Sequence, residues 1–301
     1  MNYTRGPGLA LSDDIPGEIP GIFTPGIWED YDFPYDLRDP APESSDMYGG
    51  RDWELGENTQ LYIDGVSYDD VRQGYVGDCS MMATIASVAS LNPNFIRDAI
   101  VDNHNNTYTV RLYDSHGKAE YITVDGELYR DPDGTPVYAR SRQLNEIWPA
   151  VIEKAYARWE GGYANIASRT ATDTIMTLTG IRTHYTRNQQ IPASMLYGAI
   201  RSSLANSSPV IASSYDDPSR YIGIQIKEDH AYSVLRVYEV NGQQWIVLRN
   251  PWGYYEYHGD YKAVGRDDGV FSMKIEDYCR LFQGTTLSAS PVGSMPILES
   301  S

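Results

Sequence analysis

Cysteine is scarce: Cys79 and Cys279 are the only two in 301 residues. Two thiols exclude the disulfide framework of a small secreted domain, although arithmetic leaves one pair open across the 200 positions between them. Long apolar runs are missing as well. No stretch approaches the roughly eighteen residues that a membrane-spanning helix needs, and the opening "MNYTRGPGLALSDD" has no apolar signal core. Basic residues are outnumbered, 24 Lys and Arg against 41 Asp and Glu, for a formal net charge of −17. That balance argues against nucleic acid or an anionic membrane as the main partner. It suits bound cations, with a solvated acidic surface as the plainer explanation for most of these carboxylates. A soluble protein is expected, with the cytoplasm ahead of export by a non-classical route.

What is present builds a core. Hydrophobic residues make up 41% of the chain, and its length allows one large domain or two lobes sharing a cleft. Residues 1 to about 50 are rich in Pro, Gly, Asp and Tyr, which reads as an extended arm. From Asp78 the pattern turns helical: Met82, Ala83, Ala86 and Ala89 recur on one face, widened by Ile85 and Val88. "TYTVRLYD" and "EYITVDG" read as strands. "NEIWPAVIEKAYARWEGG" is a second helix, with Pro149 in its first turn and Gly161-Gly162 as its stop. "SMLYGAIRSSLANS" is a third. Beyond it "PVIASS", "AYSVLRVYEV", "QQWIVLRN" and "GVFSMKI" predict strands, with Asn241-Gly242 as a hairpin turn, before a short helix carrying Ile275, Tyr278, Cys279 and Phe282. The fold class is α+β, a helical first half and a β-rich second half.

The stretch "QGYVGDCSMMATIASVAS" sets Cys79 at the start of its helix, with Asp78 as the expected N-cap. There the unpaired amides and the helix dipole favour a thiolate, the more so beside an imidazolium. A lone cysteine on a small-residue helix is also a common core residue. Of five histidines, His104, His116 and His184 sit in polar surroundings, and His258 follows an aromatic run. His230 opens one predicted strand and Asn250 ends the next, so adjacent strands would set them side by side. An Asn carbonyl can hold one ring nitrogen and leave the other for the thiol. The order Cys, His, Asn, with 151 residues between the first two, is papain-like. Gln73, six positions before Cys79, can donate its amide to a developing oxyanion together with the Cys79 N–H. Cys279 needs only the reading of a small hydrophobe.

These motifs together resemble the catalytic core of the calpains. "QGYVGDC", "HAYSV" and "RNPWG" match three family motifs in order, "EIWPAVIEKAYA" matches a fourth, and "WEDYDFP" and "DGVFSMKIEDY" match the flanks, over residues 27 to 285. The resemblance implies a papain-like two-lobed cysteine protease with its active site in the cleft between the lobes. The nucleophile would be Cys79, the base His230, the orienting residue Asn250, the oxyanion donor Gln73, and the shield over the histidine Trp252. The division it implies is a tail over 1–26, an N-terminal lobe over 27–182, a C-terminal β-rich lobe over 183–291 and a tail over 292–301.

The chain departs from that pattern in places. Ser80 stands where the family has Trp, and Asp229 where it has Gly. The Asp229 carboxylate either holds His230 more protonated or faces water. The family's flanking regulatory domains do not fit within this length, so control is expected from the core, its tails or a partner protein. Calcium is the implied cofactor. Ile63 and Gly65 carbonyls, Asp70 and Glu146 fall on the family's first site, and Glu256 and Asp268 on its second, where Val270 replaces a carboxylate. Oxygen-only donors of this kind suit Ca²⁺. The arginine that links the lobes in the family falls on Tyr68.

The expectation is a calcium-responsive cysteine endopeptidase acting on polypeptide substrates, with the N-terminal tail or a regulatory protein as candidate inhibitors. Two other functions remain open: a catalytically silent binding module on the same fold, and acyl transfer to amines, against which Asn250 rather than Asp argues.

Overall fold

The computed structural model describes residues 52–257 and 267–288. The tails at 1–26 and 292–301, the "WEDYDFP" arm and His258 lie outside the described residues. In chain order the elements are β1 (Asp52–Glu54), α1 (Cys79–Leu91), α2 (Pro93–Ala99), β2 (Ile100–Asp102), β3 (Thr107–Tyr113), β4 (Ala119–Asp125), β5 (Leu128–Arg130), α3 (Trp148–Glu160) and α4 (Ala171–Thr179). They continue as β6 (Thr183–Arg187), α5 (Ala193–Ala205), β7 (Val210–Ser214), β8 (Ala231–Val240), β9 (Gln243–Arg249), β10 (Val270–Lys274), α6 (Ile275–Leu281) and β11 (Phe282–Ser288).

In the first lobe α1 to α4 surround a three-stranded antiparallel sheet, β2-β3-β4, and a small β1-β5 pair. The second lobe is an antiparallel sheet in the order β10-β9-β8-β7-β11-β6. Each lobe has its own core, one drawn from Val71 to Ile181 and the other from Leu196 to Leu287. Ala83, Ala171, Ile175, Ile211 and Ala231 form a third, smaller cluster joining them. Cys79 packs against that cluster. This is an α+β, papain-like architecture.

The second predicted helix is α3: Pro149 sits in its first turn, and Gly161, at φ 84°, closes it in the left-handed conformation. The predicted hairpin turn joins β8 to β9, with Asn241 at φ 50° and Gly242 at φ 77°, both in the left-handed region that a two-residue turn needs.

Two expectations about α1 need correction. The apolar stripe read from Met82 to Ala89 is no stripe: every residue from Ser80 to Ala89 is buried. A helix buried on every side, here with Ser80, Thr84 and Ser87 among its apolar residues, belongs in the interior. Here α1 packs on α4 and on β8 of the other lobe, where Ser233 Oγ donates to the Ala83 carbonyl at 2.7 Å. Burying Met81, Met82, Ile85 and Val88 contributes about 1.5–3 kcal/mol apiece. The second correction concerns Asp78, whose side chain makes no capping hydrogen bond. Its carbonyl starts the helix instead, accepting from Met81 N at 2.8 Å and Met82 N at 3.2 Å.

Candidate active site

The first residue of α1 and the end of the loop before β8 face one cleft of about 910 Å³. Cys79, His230, Gln73 and Trp252 all line it. His230 Nε2 lies 2.9 Å from Asn250 Oδ1. An amide oxygen only accepts, so Nε2 carries the hydrogen and Nδ1 keeps its lone pair. Adjacent strands place the two: β8 begins one residue after His230, and Asn250 follows directly on β9.

Asn250 is itself immobilised. Fully buried, it accepts from Trp252 N at 3.1 Å, donates from Nδ2 to Tyr255 O at 3.3 Å, and gives its backbone N–H to Gly269 O at 2.9 Å. Trp252 covers one side of the imidazole at 4.8 Å between centroids, and Tyr232 meets it edge-on at 5.1 Å. This aromatic cover excludes water from the His–Asn hydrogen bond and strengthens it.

Burial also decides the charge state. It pulls the His230 imidazole down to about 4, although the Asn250 hydrogen bond opposes it. Burial pushes the Cys79 thiol up to about 11, helped by the Asp78 and Asp229 carboxylates. The helix start and the backbone at Ala231 and Ser80 favour the thiolate but do not win. Among the described residues no hydrogen bond joins Sγ to the His230 ring. Both shifts run against the ion pair expected from the helix dipole, while Cys79, half-buried at the cleft wall, keeps contact with solvent. Asp229 acts on the thiol; the charges that act on His230 are those of Lys227 and Glu228.

Gln73 is held beside the cleft by its backbone, whose N–H donates to Pro251 O at 2.9 Å. One hydrogen of its side-chain amide goes to Val76 O at 2.8 Å, which leaves a second N–H. Arg72 reaches the Gly253 carbonyl, and Arg249 Nη2 reaches Val71 O at 2.7 Å, so the turn carrying Gln73 is tied to the loop carrying Trp252 from both sides. Sequence reasoning missed both arginines. Arg249 opens the "RNPWG" motif and Arg72 stands directly before "QGYVGDC", and neither position signals a tether.

The acidic residues divide. Asp70 and Glu146 are both buried. Asp70 Oδ2 accepts from Ser67 N at 2.8 Å and Trp148 Nε1 at 3.4 Å. Glu146 accepts from Ile63 N at 2.6 Å and Ser141 Oγ at 2.5 Å. The Ile63 amide, not its carbonyl, faces Glu146. Burial raises both carboxyls, and the negative charges of Asp70 and Asp64 raise Glu146 further. Such paired hard oxygen donors fit a calcium ion, and Gly65, at φ 94°, turns the loop between Ile63 and Asp70. The other set is spent on backbone: Glu256 Oε1 accepts from Asp268 N at 2.8 Å and Gly269 N at 3.0 Å, and Asp268 Oδ1 from Val270 N at 3.1 Å. Among the described residues no three acidic, His or Cys side chains gather as a metal cluster, so a cation would rest on fewer carboxylates plus carbonyls.

Fold and cleft define a papain-like cysteine protease core. Residues 28–266 match the family model described as calpain family cysteine protease, and the chain belongs to that family. It is 29% identical over 280 residues to the calpain-1 catalytic subunit of Bos taurus, covering 82% of this chain and 38% of that protein. The Homo sapiens calpain-1 catalytic subunit is 29% identical over 279 residues, covering 81% and 38%, and Homo sapiens calpain-8 is 28% identical over 278, covering 82% and 39%. The chain thus spans under two-fifths of the curated relatives it matches.

Proposed function

We propose that this chain is a cysteine endopeptidase that hydrolyses peptide bonds in protein substrates through Cys79, His230 and Asn250. The observation that carries the reading is the 2.9 Å His230–Asn250 hydrogen bond, which leaves Nδ1 basic in the cleft that holds Cys79. In the reaction Nδ1 takes the thiol proton as Sγ attacks the substrate carbonyl. The oxyanion receives hydrogen bonds from the Gln73 amide and the Cys79 N–H. The imidazolium then protonates the departing amine, and water, deprotonated by the same nitrogen, releases the acyl group from sulfur.

The resting charge state sets a condition on this chemistry. With the thiol shifted up and the imidazole shifted down, proton transfer from Sγ to Nδ1 accompanies attack on bound substrate. The same shifts favour the second reading, a silent binding module that keeps the fold.

Calcium is assigned to Asp70 and Glu146 with the Ile63 and Gly65 carbonyls, and more weakly to Glu256 and Asp268. Bound there, it would offset carboxylate repulsion and stiffen the loop leading to Gln73. Lobes at 27–182 and 183–291, and inhibition by the N-terminal tail or a regulatory protein, belong to the same proposal. No helix among the described residues is long and apolar enough to cross a membrane.

The test is incubation with casein, with and without calcium, followed by mass spectrometry of the fragments. Wild type should cut and Cys79→Ala and His230→Ala should not. Asn250→Ala should retain a residue of rate, and Gln73→Ala should lose about a hundredfold to a thousandfold in turnover. Intact casein throughout, or cutting by Cys79→Ala, overturns the reading.

A further inference from the structure

The cleft carries a charge opposite to that of the chain. Overall 41 Asp and Glu outnumber 24 Lys and Arg. Among the described residues, however, the cleft is lined by Arg140, Arg169, Arg187 and Lys227 against a single carboxylate, Asp229. Two of these cations are answered from outside it: Arg169 pairs with Glu160 and Lys227 with Glu228, neither of which lines the cleft. Arg140 stands at the Gln73 end, where its backbone pairs with that of Arg72. Arg187, exposed on β6, forms no ion pair among the described residues.

The sheet of the second lobe connects Arg187 to the catalytic end. Residues paired across adjacent strands share a face. One row of pairs runs from Ala231 on β8 through Ser213 on β7 and Gly284 on β11 to Arg187 on β6. It starts one residue after His230 and, at about 4.8 Å per strand, ends about 14 Å away. This face is turned to the first lobe, because Ala231 packs with Ala83 and Ala171.

At Gly284 the row has no side chain, and the ring of Tyr185 takes the space: a Cβ there would stand 2.2 Å from Tyr185 Cζ. Tyr185 is 43% exposed and lines the cleft. Burial raises its phenol and the Arg187 charge pulls it back, which marks the two as neighbours. The floor that leads away from His230 is therefore small at Ala231 and Ser213, aromatic at Tyr185 and cationic at Arg187.

We propose that Arg187 selects acidic side chains, so that the peptidase prefers substrates with Asp or Glu about two to four residues from the bond that is cut, the span that an extended chain of about 3.3 Å per residue covers over this floor. The inference rests on the reading of the cleft as a peptidase site and names its substrate class. The methylene stem lies on the Tyr185 ring, and the carboxylate meets the guanidinium fork, which offers it two parallel N–H donors. The net charge of the chain does not forbid this, since exposed charges beyond about 8 Å are largely screened at physiological salt.

The experiment digests a random library of short peptides and maps every cut by mass spectrometry. Wild type should enrich Asp and Glu about fivefold at one fixed position from the cut, the upper range for one partly exposed charge pair. Arg187→Lys should keep the preference, Arg187→Gln should lose it, and Arg187→Glu should turn it toward Lys and Arg. An acidic preference missing from wild type, or unchanged in Arg187→Gln and Arg187→Glu, would overturn the proposal. Because Arg187 is exposed, all three variants should melt with wild type, and if Arg187→Gln does not fold, the reversal in Arg187→Glu decides. A second arm needs no catalysis. The same library is passed over immobilised Cys79→Ala protein, which should retain acidic peptides at low salt and release them when Arg187→Gln is added to it. If wild type cuts nothing, the peptidase reading fails and this arm alone decides: retention that depends on Arg187 supports an acidic subsite in the cleft, and retention indifferent to Arg187, or none, overturns it.

Discussion

Arg249, fully buried at the end of β9, donates from Nη2 to the carbonyl oxygen of Val71 at 2.7 Å. Burial and the nearby Arg72 charge pull its guanidinium down to about 10, so it remains charged at neutral pH. A buried cation bonded to a carbonyl across the seam is an expensive tether, and Tyr68, the residue on the family's inter-lobe arginine position, lies under the same guanidinium at 5.9 Å. Arg249→Ala should lose about 2–5 kcal/mol by leaving a cavity. Arg249→Met, which fills the space without the charge, should lose far less or gain. Both should cut turnover by more than tenfold, because the turn that carries Gln73 loses its anchor. Urea unfolding beside peptide kinetics separates the two effects.

Asp229 occupies the left-handed region at φ 45°, where the family pattern has Gly. A side chain there costs about 1–2 kcal/mol, and its charge raises the Cys79 thiol. Asp229→Gly should therefore raise the melting temperature and lower the thiol pKa together. Iodoacetamide alkylation followed against pH should move to lower pH. An unmoved profile would remove Asp229 from the account of thiol reactivity.

The two partners should limit stability at opposite ends of the pH scale. His230, depressed to about 4, stabilises above the unfolded value near 6.5, and that stability is lost as pH falls between them. Cys79, raised to about 11, stabilises below the unfolded thiol value, and that stability is lost as pH climbs toward 11. His230→Asn should flatten the acid limb of a melting-temperature profile, and Cys79→Ala the alkaline limb.

Calcium should raise the melting temperature if Asp70 and Glu146 hold it. A preference for the ordered loop of about 1–3 kcal/mol corresponds to roughly five- to a hundredfold in activity. Asp70→Asn and Glu146→Gln should each abolish the thermal shift with Cys79 still open to alkylation. Magnesium, which prefers a tighter octahedral shell, should not replace calcium. An unshifted melting curve in millimolar calcium would make these carboxylates ordinary loop anchors, tied as they are to Ser67 N and Ile63 N.

Local pattern was enough for the elements whose signals are local. Pro149 and Gly161 bracket α3, Asn241-Gly242 turns β8 into β9, and the motif order places Cys79 at a helix start and His230 beside Asn250. The helix α4 went unnoticed because "ATDTIMTLT" is rich in Thr, a poor helix former; Ile175 and Leu178, buried against other elements, hold it in place. The Tyr185 ring against Gly284 and the β6–β11 pairing escaped notice for a similar reason, since a long-range strand pair has no signature in either strand alone.

The order of chemistry-bearing residues, and the helix and strand ends that carry them, follow from the amino-acid sequence by itself, because caps, turns and hydrophobic period act over a few residues. Only the tertiary structure decided their charge. Asp78 reads as a capping residue from its neighbours, but in the fold its carboxyl makes no capping bond and is only 2% exposed, packed in by distant segments. The helix dipole argues for a thiolate at Cys79, but desolvation and the Asp78 and Asp229 carboxylates oppose it. Desolvation and long-range pairing depend on what packs around a group, and that is settled only when distant segments meet.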